Sequence, residues 1–263
     1  MWLKRINWFC LGLLLFASAC ELESLDDPVV VTDVEDEFYV DMWEELNANQ
    51  RNLFFNIRTI ENETCLNTTI ATVFSKLGNE LTLELNGIET PEDCLEGEAP
   101  ALGSENAGQL SAGPYKIAIN LQNTIFNSGQ LDINQSRYLL NLETENGIKI
   151  LRSVLLRVPE NLLWGYIAYK QESQTSIAES FMTDLRTLTR EISLPIGYYG
   201  YFTINQNAPQ IQVSDSPNSE YLIPFFYSYD AEMEESIQNI VTEFRANNPD
   251  PEIALFNYKG ESF

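Results

Sequence analysis

Histidine is absent from all 263 residues. With it go the Ser-His and Cys-His nucleophile pairs, the commonest general base and most zinc sites. Basic side chains are scarce too, 15 against 39 acidic ones. A field of that sign repels phosphates, so nucleic acid is not expected as a partner. The chain has no C-x-x-C pair, no G-x-S-x-G and no glycine-rich loop closed by Lys. Thiol redox, serine hydrolysis and phosphate cradling therefore lack their usual carriers, and neither cofactor nor metal is expected. Asp33, Glu35, Asp36, Glu37 and Asp41 cluster in sequence, but without the alternating spacing and Gly of a calcium loop they read as a solvated tether. A carboxylate-based hydrolase is the one catalytic alternative, because with 39 acids some pair will always be close in space. The leading expectation is a protein that catalyses nothing.

A long apolar run is missing as well. The most apolar stretch, Trp8 to Phe16, is well short of the roughly 20 residues that a bilayer-spanning helix needs. Lys4 and Arg5 precede it, and the small residues Ala17, Ser18 and Ala19 lead from it into Cys20, the layout of a secretory signal. On these residues the chain resembles the bacterial lipoproteins, whose leader is cut directly before a cysteine that becomes the acylated N-terminus. Ala17-Ser18-Ala19-Cys20 matches that box, with Ala17 where Leu is usual. The resemblance implies a leader over residues 1–19, lipidation of Cys20, and attachment to a membrane through several acyl chains at about 0.8 kcal/mol per buried methylene. Next come Glu21-Leu22-Glu23-Ser24-Leu25-Asp26-Asp27. They lack the Asp after the cysteine that goes with inner-membrane retention, and look like the acidic export tags of some Gram-negative surface lipoproteins. That likeness implies the outer membrane, at the cell surface, with the periplasmic face as the other option. Residues 20–37 as a whole are expected to form an acidic tether, and a plain solvated tether is also the alternative reading of the tag.

Cysteine is sparse, four in all. Cys10 leaves with the leader and Cys20 is the lipid site, so Cys65 and Cys94 remain as a pair in an oxidising compartment and are expected to form a disulfide. The loop they close, about 30 residues, is worth about 3.5 kcal/mol in chain-entropy terms.

What is abundant is strand pattern. Order is expected to begin near Phe38. Leu81, Leu83 and Leu85 alternate with Glu80, Thr82 and Glu84, and Tyr115, Ile117, Ile119 and Leu121 alternate with Lys116, Ala118 and Asn120, each run with one apolar and one wetter face. Phe54 to Ile60, Thr69 to Phe74, Tyr138 to Leu142 and Ile148 to Val158 are further strands, with turns at Leu77-Gly78-Asn79, Asn86-Gly87, Ser128-Gly129 and Asn146-Gly147. Glu96 to Pro114, rich in Gly, Ala and Ser, reads as a long loop. Residues 38–158 are thus expected to form an antiparallel β-sandwich resembling the immunoglobulin-like class in architecture.

Beyond Pro159 helices join the strands. Trp164 to Lys170, Gly197 to Ile204, Tyr221 to Tyr229 and Ile253 to Tyr258 read as strands, with a possible short extra one at Gln210 to Val213. Ile177, Phe181, Leu185, Leu188 and Ile192 fall at helical spacing behind a capping box at Ser176 and Glu179, and Met233, Ile237, Ile240, Val241 and Phe244 make a second helix opened by Asp230. Strand, helix, strand, strand, helix, strand over 162–263 is the ferredoxin-like βαββαβ order. Pro224 conflicts with it, since it lies in the strand that this topology puts mid-sheet, which calls for a bulge or another strand order. Aromatics crowd this half. Alternation turns Phe202 and Ile204 toward the helices and leaves Trp164, Tyr166, Tyr199 and Tyr201 on the opposite face. That face either packs on the first domain or offers rings to a ligand. The functional expectation is a lipid-anchored envelope protein with a binding or assembly role, and the aromatic face makes a glycan-binding accessory the alternative, with an envelope protein or a glycan as the partner.

Overall fold

The computed structural model describes residues 35–206, 209–211 and 219–263. Cys20 and the leader lie outside the described residues, as does Asp33. The described residues are mostly β-strand. Twelve strands make up the first half: β1 (Phe38–Glu45), β2 (Asn52–Thr59), β3 (Glu63–Cys65), β4 (Thr69–Leu77), β5 (Glu80–Glu89), β6 (Glu96–Ala99), β7 (Leu102–Gly108), β8 (Gly113–Leu121), β9 (Ile125–Ile133), β10 (Arg137–Leu142), β11 (Ile148–Ile150) and β12 (Val154–Leu156). Ten of them share one sheet, in the order β11-β1-β2-β7-β4-β5-β8-β9-β10-β12.

That order makes the sheet curl. Its two edge strands, β11 and β12, are separated in sequence only by residues 151–153, so the far edges are tied together by the chain itself. Apolar residues at every second position of β1, β2, β5 and β8 then point into one shared interior, which holds Val40, Phe55, Leu83, Ile119, Leu131 and Leu155. β4 and β7, neighbours in the middle of the sheet, meet in parallel at the single register pair Thr69↔Leu102.

Several expectations for this half are corrected. Glu96 to Pro114 is not a loop, since β6 and β7 lie in it. Small residues hid them, because β7 is held by its ladder to β2 and most of its side chains are not buried. The sheet is not wholly antiparallel either. β5 and β8 run parallel over six register pairs, because the chain leaves β5, pairs with β2 as β7, and returns, a crossover of the length that parallel neighbours require. Ile148 to Val158 is not one strand but two, placed at opposite edges of the sheet. Asn86-Gly87 is a bulge in β5, where the register shifts opposite Ala71/Thr72 and Gly87 takes φ 141°. Ser128-Gly129 is no turn but the middle of β9. A Cβ on Gly129 would collide with the carbonyl oxygen of Asn141 and the Cα of Leu142, so glycine is there to let β10 approach. The actual turn is Gln122-Asn123, with φ of 48° and 55°, the backbone of a tight hairpin.

The second half comprises β13 (Leu162–Tyr169), α1 (Thr175–Leu188), β14 (Thr189–Glu191), β15 (Gly197–Tyr198), β16 (Phe202–Ile204), β17 (Gln210–Ile211), β18 (Tyr221–Tyr229), α2 (Glu234–Asn247) and β19 (Glu252–Asn257). β14-β18-β13-β19 form an antiparallel sheet. Its second strand in sequence is β14, not Gly197 to Ile204. The latter folds as a hairpin about Gly200, at φ 85°, and with β17 makes a separate three-stranded sheet. Ile192 falls beyond α1. That helix is entered through a short 3-10 turn in which the Gln174 side-chain oxygen accepts from the Gln171 backbone N–H at 3.0 Å, in place of the expected Ser176 box. Asp230 likewise makes no cap bond and pairs with Arg190 at 2.7 Å.

Pro224 needs neither a bulge nor another order. It pairs with Tyr166 of β13 in unbroken register, while β14 reaches only from Tyr229 to Tyr227. At Pro224 the strand is therefore an edge on one side, where a missing donor costs little. Both helices cover one face of this sheet, with Phe181, Leu185, Ile237 and Val241 packed on Leu163, Ile167 and Phe225.

Candidate functional site

β13 is buried at all eight positions, as its nearly continuous apolar sequence requires of a strand covered on both faces. The helix-free face is covered by an aromatic seam. Trp164 packs on Phe256 at 4.6 Å, on Phe202 at 5.3 Å and on Tyr201 at 5.5 Å between ring centroids, and Tyr201 continues to Trp43 of the first half at 5.6 Å. Tyr199 stacks on Phe202 at 4.7 Å. Phe202 and Ile204 thus join Trp164 on this face and do not point at the helices, because β16 belongs to the small sheet laid over it. Tyr166 lies apart from the cluster, its hydroxyl donating to Glu252 at 3.0 Å.

Of the four candidate rings, Trp164, Tyr166 and Tyr199 are 3%, 5% and 2% exposed. Rings this deeply buried present no open face for a sugar to stack on. Gly200 sits against Trp43, whose Cδ1 would lie 3.0 Å from an added Cβ, and the Leu46 amide donates to the Tyr201 hydroxyl at 3.0 Å.

Beside the seam lies a charged cluster that no motif or spacing in the sequence singles out. Glu44 is buried in β1 by the same alternation that buries Val40 and Met42. Arg157 donates from Nε to its Oε1 at 2.9 Å, the Tyr138 hydroxyl donates to the same oxygen at 2.8 Å, and Arg51 lies 3.6 Å from Oε2. Arg51 also donates to the carbonyls of Val158, at 2.6 Å, and Tyr258, at 3.1 Å. Burial and the neighbouring Glu44 carboxylate together hold the Tyr138 hydroxyl protonated well beyond the ordinary tyrosine range. The two guanidiniums border a cleft of about 590 Å³ between the halves, together with Gln50, Gln109, Gln135 and Lys259. Their donors are largely spent on Glu44 and on backbone carbonyls, so this network acts as a clasp.

The other feature is at the disulfide. Cys65 and Cys94 are bonded, with Cα atoms 5.3 Å apart, and staple the end of β3 to the segment that leads into its partner β6. The Leu66 amide donates to the Leu95 carbonyl at 2.8 Å, while the Asn67 side chain donates to the Asp93 carbonyl and accepts from the Leu95 amide. The result is a cross-braced strand pair beside which Leu66 and Leu95 are 53% and 59% exposed. Among the described residues no group of acids and cysteines is placed to hold a metal ion; Asp41, from the acidic run near the start, pairs with Arg152. No family model, no curated protein and no solved structure matches the chain.

Proposed function

We propose that this is a lipid-anchored protein of the bacterial outer membrane, exposed at the cell surface, with a binding or assembly role and no catalysis. The observation that carries the proposal is Cys20, set directly behind Ala17-Ser18-Ala19 at the end of a short apolar run that Lys4 and Arg5 precede. The Cys65–Cys94 bridge supports export, since such bonds persist in oxidising compartments. The absence of histidine and the interior position of the aromatic face both favour a module that presents surface, not a pocket that performs chemistry.

Within that reading the curled sheet serves as an immunoglobulin-like sandwich and the second half as a ferredoxin-like domain. The sheet order β14-β18-β13-β19, all antiparallel, with both helices on one face, supports the latter. The aromatic seam and the Glu44 clasp make the two halves one rigid carrier.

The test is the mass of the mature N-terminus. Protein purified from membranes is expected to begin at Cys20 and to carry acyl groups there, and Cys20→Ser is expected to leave the leader uncleaved and the acyl mass missing. A mature chain that begins at another residue, or an unacylated Cys20, overturns the anchor and the address with it.

A further inference from the structure

Between Glu61 and Glu105 stand ten acidic residues and one basic residue, Lys76. Seven of them are exposed; Glu80 pairs with Lys116, and the other six, Glu61, Glu89, Glu92, Asp93, Glu96 and Glu98, form no ion pair among the described residues. Within this anionic end three leucines are held outward: Leu66, Leu95 and Leu102, at 53%, 59% and 59% exposure. They belong to one structure. Leu66 and Leu95 are joined by their backbone bond, Leu66 lies over Gly97, and the Leu102 amide donates to the carbonyl of Thr68, two residues beyond Leu66, at 3.4 Å.

Solvated carboxylates cost a protein little, but exposed leucines gain nothing from water, and here a disulfide and the Asn67 cross-brace fix the backbone that displays two of them. Apolar side chains presented rigidly inside a charged rim form the pattern of an interface core, with ordering entropy already lost in the free state. The rim decides what fits. Six unneutralised carboxylates repel an acidic or phosphate-bearing surface and attract a cationic one.

We propose that the disulfide-braced end of the curled sheet docks a protein segment in which lysines or arginines surround leucine-like side chains. The apolar centre supplies affinity, and the acids supply attraction at long range and selection against anionic competitors. This proposal rests on the binding role inferred above and names the partner's chemistry.

The experiment uses the full-length acylated protein in phosphatidylcholine proteoliposomes, with acylation of Cys20 confirmed on the same sample, so that loss of the anchor and loss of docking are read separately. The probe is a synthetic peptide of interleaved Lys and Leu, compared with one in which Ser replaces Leu. The Lys/Leu peptide is expected to bind more tightly than the Lys/Ser peptide. Leu66→Ser with Leu95→Ser and Leu102→Ser should weaken it at least about tenfold at unchanged charge. Glu92→Gln with Asp93→Asn, Glu96→Gln and Glu98→Gln should flatten the salt dependence, while Glu232→Gln with Glu235→Gln and Glu243→Gln, on and before α2, should leave affinity within about twofold. Equal binding of the two peptides, or a leucine variant that melts like the native protein and binds like it, overturns the proposal, because binding would then be bulk attraction to an acidic protein.

Discussion

Three side chains converge on Glu44. A carboxylate at 1% exposure is tolerable only because Arg157, Tyr138 and Arg51 surround it. Glu44→Gln removes the charge and leaves two guanidiniums facing a neutral amide, so a loss of about 3–5 kcal/mol is expected in urea unfolding. Tyr138→Phe removes one donor from an acceptor that keeps its ion pairs, and is expected to cost less, about 1–2 kcal/mol. Equal losses would show that packing, not charge, governs the site. At Gly165 the constraint is steric. A Cβ there would run into the Ala254 carbonyl of the neighbouring strand β19, so Gly165→Ala is expected to lower the unfolding midpoint by the equivalent of about 1–3 kcal/mol, whereas a tolerant site would show no shift.

At the scale of elements, residues carrying a period were legible and residues chosen for backbone contact were not. Leu81, Leu83 and Leu85 marked β5, and Phe181 and Leu185 marked α1, because burial repeats at the period of the element. β7 and β9 escaped detection because Gly103 is crowded by the side chains of Ile70 and Thr72, and Gly129 by the backbone of β10, a signal that belongs to the partner strand and not to the local sequence. The disulfide was readable from cysteine count and compartment alone, yet the strand pair it braces was not, since β3 and β6 have only three and four residues and β4 and β5 come between them in sequence. The aromatic face was recognised as a face, but its cover was not, because β15–β17 contribute so few residues of pattern. Reduction of Cys65–Cys94 tests how local that brace is. Loss of the bridge is expected to cost at most about 3.5 kcal/mol, and to speed amide exchange at Leu66 and Leu95, while the amides of β5 and β8 stay protected. Exchange that rises equally across β5 and β8 would show that the β3–β6 pair is integral to the core.

For the molecule as a whole, the seam settles how the protein unfolds. Trp43 and Leu46 come from the first half, Tyr199, Tyr201 and Trp164 from the second, and Arg51 bonds the carbonyls of Val158 and Tyr258. Neither half can open without exposing rings that the other covers, so a single cooperative transition is expected. Alkaline titration probes this seam directly. Burial pushes the hydroxyls of Tyr199 and Tyr201 up to about 12, against about 10 for a tyrosine in an unfolded chain. Between those values the unfolded chain has released protons that the folded protein still holds, so unfolding becomes easier as pH rises. The contribution is complete below about pH 10 and is lost on the way to about pH 12. Tyr201→Phe gives up the acceptor of the Leu46 amide and so lowers stability at every pH, but it also removes one of the titrating groups, and its urea midpoint should fall less steeply than that of the native chain above about pH 10. Parallel curves for the two proteins would mean that Tyr201 ionises as freely in the folded state as in water, and that the seam is open to solvent.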